Sequence, residues 1–155
     1  MKDVLFTFIF TLLWPNGVFC QKNKSLYDEY GVVYMPVNDS TITYNTKKGK
    51  RYEIKLNQIS FVDGENALVN YLKKQYYKPR LYDDDYAYRV FFFILFDSKL
   101  KIKEVRCCVL PFSQYTETQK RRIKLYTKGL KKTKNKWKKT STQKKYIYAF
   151  SFVTD

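Results

Sequence analysis

The chain contains no histidine, which removes the side chain that most often serves as general base, metal ligand or nucleophile partner near neutral pH. Glycine (5) and proline (4) are scarce for 155 residues, so collagen-like, low-complexity and flexible-linker chains are excluded. Acidic residues are few as well: 14 Asp and Glu stand against 30 Lys and Arg, a formal charge of +16. The three cysteines are Cys20, Cys107 and Cys108. Adjacent cysteines on a strand point to opposite faces, so a bridge between the last two would be strained. They read as small apolar strand residues, and without histidine they cannot complete a metal site. What is present is apolar and aromatic. Fifteen Tyr, twelve Phe and a hydrophobic share of 45% supply one domain's core and rule out a wholly disordered chain.

Val4 to Trp14 is an apolar run of eleven residues, too short for a helix that must place about 20 in a bilayer. Its length fits the hydrophobic part of a secretory signal, with Pro15-Asn16-Gly17 as the break and cleavage after Cys20. Residues 1–20 are therefore expected to be a signal peptide and the protein to be exported, most simply to the periplasm. A lipoprotein acylated at Cys20 is the alternative.

Gln21 to Asp28 is polar and reads as a flexible lead-in. Tyr30–Val37, Thr41–Thr46 and Arg51–Leu56 are short runs rich in Val, Ile, Thr and Tyr, separated by Asn38-Asp39-Ser40 and Lys47-Lys48-Gly49-Lys50. They predict a β-meander within 21–58, with Gly49 able to take a positive φ. Asp63 is the expected N-cap of a helix from about Gly64 to Tyr76, with Ala67, Leu68, Tyr71 and Leu72 at helical spacing and Pro79 beyond its end. Asp83-Asp84-Asp85 lacks the alternation of a calcium loop and reads as a solvated turn.

Tyr86 to Phe96 predicts a central strand buried on both faces. Asp97-Ser98-Lys99 turns the chain into a return strand, Lys101–Leu110, ended by Pro111. From Thr116 the pattern is helical, with Ile123, Tyr126 and Leu130 on one stripe and fraying expected at Gly129 and Thr133. Lys144–Val153 closes as a strand with Tyr146, Tyr148, Phe150 and Phe152 on one face. That face reads as core; the opposite one, Ile147, Ala149 and Ser151, is open to either assignment. Trp137 reads as packing under this strand. From Asp63 the order is α-β-β-α-β, an α+β fold.

Phe61-Val62-Asp63-Gly64-Glu65-Asn66-Ala67-Leu68 followed by Tyr71-Leu72 resembles the helix opening "F-x-G-G-x-x-A-L-x-x-Y-L" of the TonB carboxy-terminal domain, found in periplasmic energy-transducer proteins. Lys78-Pro79, Tyr88-Arg89-Val90, Lys101 to Val105, Lys132 to Trp137 and Tyr146 to Phe152 are similar to its later pieces, in order, over about 92 of 155 residues. The chain departs from the pattern at Asp63, Ser98 and Lys138-Lys139, and no Pro-rich spacer follows the amino-terminal run. The resemblance thus implies a docking module over 59–155, with a three-stranded antiparallel sheet packed by two helices, rather than a force-transmitting transducer.

It also implies a function: capture of an extended segment of a partner protein, such as an outer-membrane transporter, by β-strand addition at the last strand, with a link to transmembrane transport. The binding elements are the backbones of Tyr146, Ile147, Tyr148, Ala149, Phe150, Ser151 and Phe152. An alternative rests on charge alone. From Thr118 to Lys145 there are thirteen Lys or Arg and no acidic residue, so Lys131, Lys132, Lys134, Lys136, Lys138 and Lys139 could hold an anionic lipid or glycan surface of the envelope. Nucleic acid, which Tyr126 and Trp137 would serve by stacking, is a poor match to an exported protein. No paired carboxylates, phosphate loop or nucleophile with a base is visible; Cys107 or Cys108 would need activation by a neighbour such as Arg106. A non-enzymatic protein without cofactor or metal is expected.

Overall fold

The computed structural model describes residues 25–76, 88–110 and 116–154. The expectations for the signal segment, Cys20, Lys78-Pro79, Asp83-Asp84-Asp85 and Pro111 lie outside the described residues. The fold is organised by one strand that has no polar face to give to water. β6 (Tyr88–Asp97) buries every residue from Val90 to Phe96, and a strand buried on both sides must lie between two layers and two neighbours. Its neighbours are β7 (Ile102–Leu110) and β9 (Lys145–Thr154), giving an antiparallel sheet of order β7-β6-β9. β9 pairs with β6 in one continuous register from Tyr88↔Thr154 to Asp97↔Lys145. The β6–β7 register slips between Leu95 and Phe96. In the tight turn between them, Asp97 Oδ1 accepts from the backbone N–H of Lys99 (2.9 Å) and Lys101 (3.0 Å). The left-handed residue of this turn is Leu100, φ 57°, and not Ser98.

One face of the sheet carries Val90, Phe92, Ile94 and Phe96 of β6 with Val105, Tyr146, Phe150 and Phe152, packed against α1 (Glu65–Tyr76) and α2 (Glu117–Lys131). Phe92 stacks on Phe150 at 5.4 Å and meets Tyr126 of α2 edge-on at 6.2 Å. Truncating so central a ring to Ala costs about 3–5 kcal/mol. The other face carries Phe91, Phe93, Leu95, Cys108 and Ile147. It packs on a four-stranded meander of β1 (Leu26–Asp28), β2 (Gly31–Pro36), β3 (Thr41–Asn45) and β4 (Arg51–Lys55), in that order. The molecule is thus helices on sheet on meander, an α+β arrangement.

Several expectations are corrected. Leu26–Asp28 is a strand and not part of a lead-in, because Leu26 is buried in the second core and Asp28 is held by a buried partner. The first helix begins at Glu65, so Gly64 (φ 83°) stands in the capping position expected for Asp63, and its carbonyl accepts from Leu68 N at 3.2 Å. Gly49 takes the positive φ expected of it, 77°. In α2, Thr116 forms a reciprocal capping box with Gln119; the helix continues through buried Gly129 and ends at Lys131, before Thr133, within the stretch where its end was expected. A two-stranded ladder of β5 (Ile59–Phe61) and β8 (Trp137–Lys139) was not foreseen. Three-residue strands are too short to show an alternation.

Candidate functional site

β9 is an edge strand. Among the described residues its ten positions pair with β6 alone, and no other backbone hydrogen bond reaches 145–154. Its side chains are occupied on both faces. Tyr146, Phe150 and Phe152 are buried in the helix-side core. Tyr148, half-buried, lies 4.9 Å from the Trp137 ring and donates from its hydroxyl to Glu65 Oε2 at 3.3 Å. Burial pushes the Tyr148 phenol up, with the Glu65 carboxylate adding to it. Burial likewise raises Glu65, against the opposing effect of that hydrogen bond. Ile147 and Ala149 face the meander, which settles the assignment left open above, and Ser151 Oγ accepts from Arg89 Nη1 at 3.3 Å. The Tyr146 hydroxyl donates to Ser141 O (2.6 Å) and accepts from Gln143 N (2.8 Å), pinning the loop that enters the strand. What β9 offers a partner is therefore main chain.

The two edges of the sheet differ. β7 carries Lys103, Glu104 and Arg106, and the latter two tie it to the meander. Glu104 accepts from the Tyr44 hydroxyl at 2.8 Å and from Lys47 N at 3.2 Å. Arg106, with no exposed side-chain surface, donates through Nε to Asp28 Oδ2 at 2.7 Å and through Nη2 to Asp28 Oδ1. It also reaches the carbonyls of Asn45 (2.5 Å), Gly31 (3.1 Å) and Val32 (3.4 Å). Arg106 is thus committed to the meander, and its charge lowers the Cys108 thiol by less than burial raises it. Cys107 and Cys108 are unbridged and buried on opposite faces, and desolvation raises both thiols, Cys107 well above its ordinary value.

The basic segment is organised by Trp137. Its Nε1 donates to Thr133 Oγ1 (3.0 Å), which itself donates to Leu130 O (2.6 Å) at the end of α2. The ring packs between Phe61 (5.2 Å), Phe96 (4.9 Å) and Tyr148. Around this buried anchor Lys131, Lys132, Lys134, Lys136, Lys138 and Lys139 are all exposed. Tyr126 and Trp137 are buried, so neither is a stacking platform for bases. Among the described residues no three potential metal ligands cluster, and no helix is long and apolar enough to cross a membrane.

The Arg106–Asp28 pair escaped the sequence reading. The signal was a guanidinium between Val105 and Cys107, in a strand too apolar to leave it in water. Comparison of the chain with protein-family models, curated proteins and solved structures returned no match.

Proposed function

We propose that the protein is an exported, non-enzymatic binding module that takes up an extended segment of a partner protein by strand addition along the outer edge of β9. One observation carries this reading: a ten-residue strand, continuous in register and, among the described residues, bonded on one side only. Unpaired N–H and C=O groups along such an edge are a template for another strand. The order α1-β6-β7-α2-β9 supports the likeness to the TonB docking module, and with it an outer-membrane transporter as the partner and a role in transport. Removal of residues 1–20, or acylation at Cys20, places the module in the periplasm.

The test uses the geometry of the strand. Successive residues point their amides alternately toward β6 and outward, so proline at Tyr148 and at Ala149 has opposite consequences. One variant loses a bond to β6 and is destabilised. The other keeps every bond to β6 and loses binding, its fold checked by circular dichroism; at Tyr148 the control is Tyr148→Ala, which removes the same ring and hydroxyl and keeps the amide. The ligands are synthetic peptides copying extended periplasmic segments of outer-membrane receptors, titrated onto isotope-labelled protein. Protection of outward β9 amides is expected. Peptide shifts confined to other surfaces, or equal binding by the fold-neutral proline variant, would exclude strand addition.

A second reading is favoured by the six exposed lysines around Trp137: attachment to an anionic envelope surface. Salt separates the two. Charge-driven attachment weakens steeply as the screening length falls to about 10 Å at 0.1 M, whereas strand pairing changes little.

A further inference from the structure

Between α2 and the β1–β2 corner, along the β7 edge, lies a cleft of about 540 Å³, the size of an ordinary small-molecule site. Lys120, Lys124, Lys128 and Lys131 line it from one stripe of α2. Their spacing of four, four and three residues distributes four ammonium groups over about 16 Å of helix. Lys47 lines it from the meander side. That residue is held in place: its backbone N–H donates to Glu104, and its ammonium sits 4.3 Å from the centre of the Tyr30 ring. Ile123, Val105 and Cys107 supply apolar lining.

Two carboxylates also line the cleft, Asp28 and Glu29. Asp28 is neutralised by Arg106, which leaves Glu29 against five lysines. Of those, Lys120 is paired with Glu117 at 2.8 Å. Lys124, Lys128 and Lys131 make no ion pair or hydrogen bond among the described residues. Among the described residues no guanidinium lines the cleft, so these supply no planar fork suited to a single carboxylate. It presents compact point charges in a row, which suit a ligand of high and distributed negative charge.

We propose that this cleft binds a small anion carrying two or more phosphate groups. The docking edge is a separate feature and only Lys131 is shared with the lysines around Trp137, so this site stands or falls independently of the strand addition proposed above. Tripolyphosphate is the probe, titrated calorimetrically into the full chain at low ionic strength, with inorganic phosphate for comparison. Tripolyphosphate binds saturably and phosphate far more weakly, because one phosphate meets only part of the row. Lys124→Gln with Lys128→Gln, both exposed, weakens tripolyphosphate by about tenfold, the equivalent of two exposed charge contacts. Lys55→Gln with Lys99→Gln, both exposed and outside the cleft, removes equal charge and leaves binding within about twofold. Glu29→Gln tightens it. Vesicles of phosphatidylglycerol distinguish the ligand's source. Vesicle binding that is lost in the Lys124/Lys128 variant assigns the phosphates to lipid headgroups; no vesicle binding assigns them to a soluble molecule. Absence of saturable tripolyphosphate binding, or equal weakening by the two lysine pairs, overturns the proposal.

Discussion

Replacing Arg106 by Met keeps the length of the side chain and removes its charge and donors. In the native protein the guanidinium makes five hydrogen bonds, two to Asp28 and three to the carbonyls of Gly31, Val32 and Asn45. Asp28 exposes only 5% of its side chain, so the substitution leaves a largely buried carboxylate without its partner and removes bonds to three main-chain carbonyls. Breaking a buried pair from one side costs about 3–5 kcal/mol, against a total stability of about 5–15 kcal/mol for a domain. Urea titration followed by circular dichroism should report that loss, with a drop in Tm of roughly 6–20 °C. Replacing both partners is milder, because no charge is left behind. Asp28→Asn combined with Arg106→Met should therefore be more stable than Arg106→Met alone, with a coupling of about 2 kcal/mol. Amide exchange should accelerate first in 26–45, the strands that the guanidinium ties down. A single variant within about 1 kcal/mol of the parent, or strictly additive effects, would refute the role given to this pair.

Three further outcomes follow from the same geometry. Thr133→Val leaves the buried Trp137 Nε1 without its acceptor and removes the bond to Leu130 O; a loss of about 1–3 kcal/mol in urea unfolding is expected. Glu65 has a folded pKa above its ordinary 4.5, so the folded state binds the proton more tightly. The stabilisation this gives is complete below about pH 4.5 and is lost as pH rises through the folded value; Glu65→Gln should flatten that part of the stability–pH curve. In a Cys20→Ser protein, Cys107 and Cys108, buried and with raised thiol pKa values, should resist Ellman's reagent until unfolding and then titrate as two thiols.

The elements that could be read from the sequence are those whose signal is local. Val90 to Phe96 leave no polar face, so a two-sided strand is the only economical solution; Thr116 with Gln119 announces a capped helix; Tyr146, Tyr148, Phe150 and Phe152 alternate plainly. The features that escaped depend on distant partners. Asp28 becomes part of a strand through Arg106, 78 residues away, and Lys47 joins the α2 lysines only because Glu104 holds its backbone, 57 residues away. Gly64 displaces Asp63 at the helix start, and Leu100 takes the left-handed position at the turn, which no residue pattern announces. The candidate binding strand was legible as a strand. Its being an edge was implied only by the family resemblance and not by its own residues, since that depends on which strand stands beside β6.

The asymmetry of the two edges bears on function more than either edge alone. Natural sheets blunt their edges with charge, proline, bulges or covering segments. β7 has three charged residues, an irregular register with β6 and two polar ties to the meander. β9 has Lys145 at its first position and no proline or register slip along the rest. β4 and β5 approach β9 without bonding to it, and an edge paired on one side among the described residues can pair between copies, yet each copy carries a formal charge of +16, and mutual repulsion of that size opposes self-association. A partner strand without such a charge escapes that penalty. Under the function proposed above, the cationic surface and an edge paired on one side are compatible, because repulsion between copies disfavours pairing of β9 with itself and leaves it to a different chain.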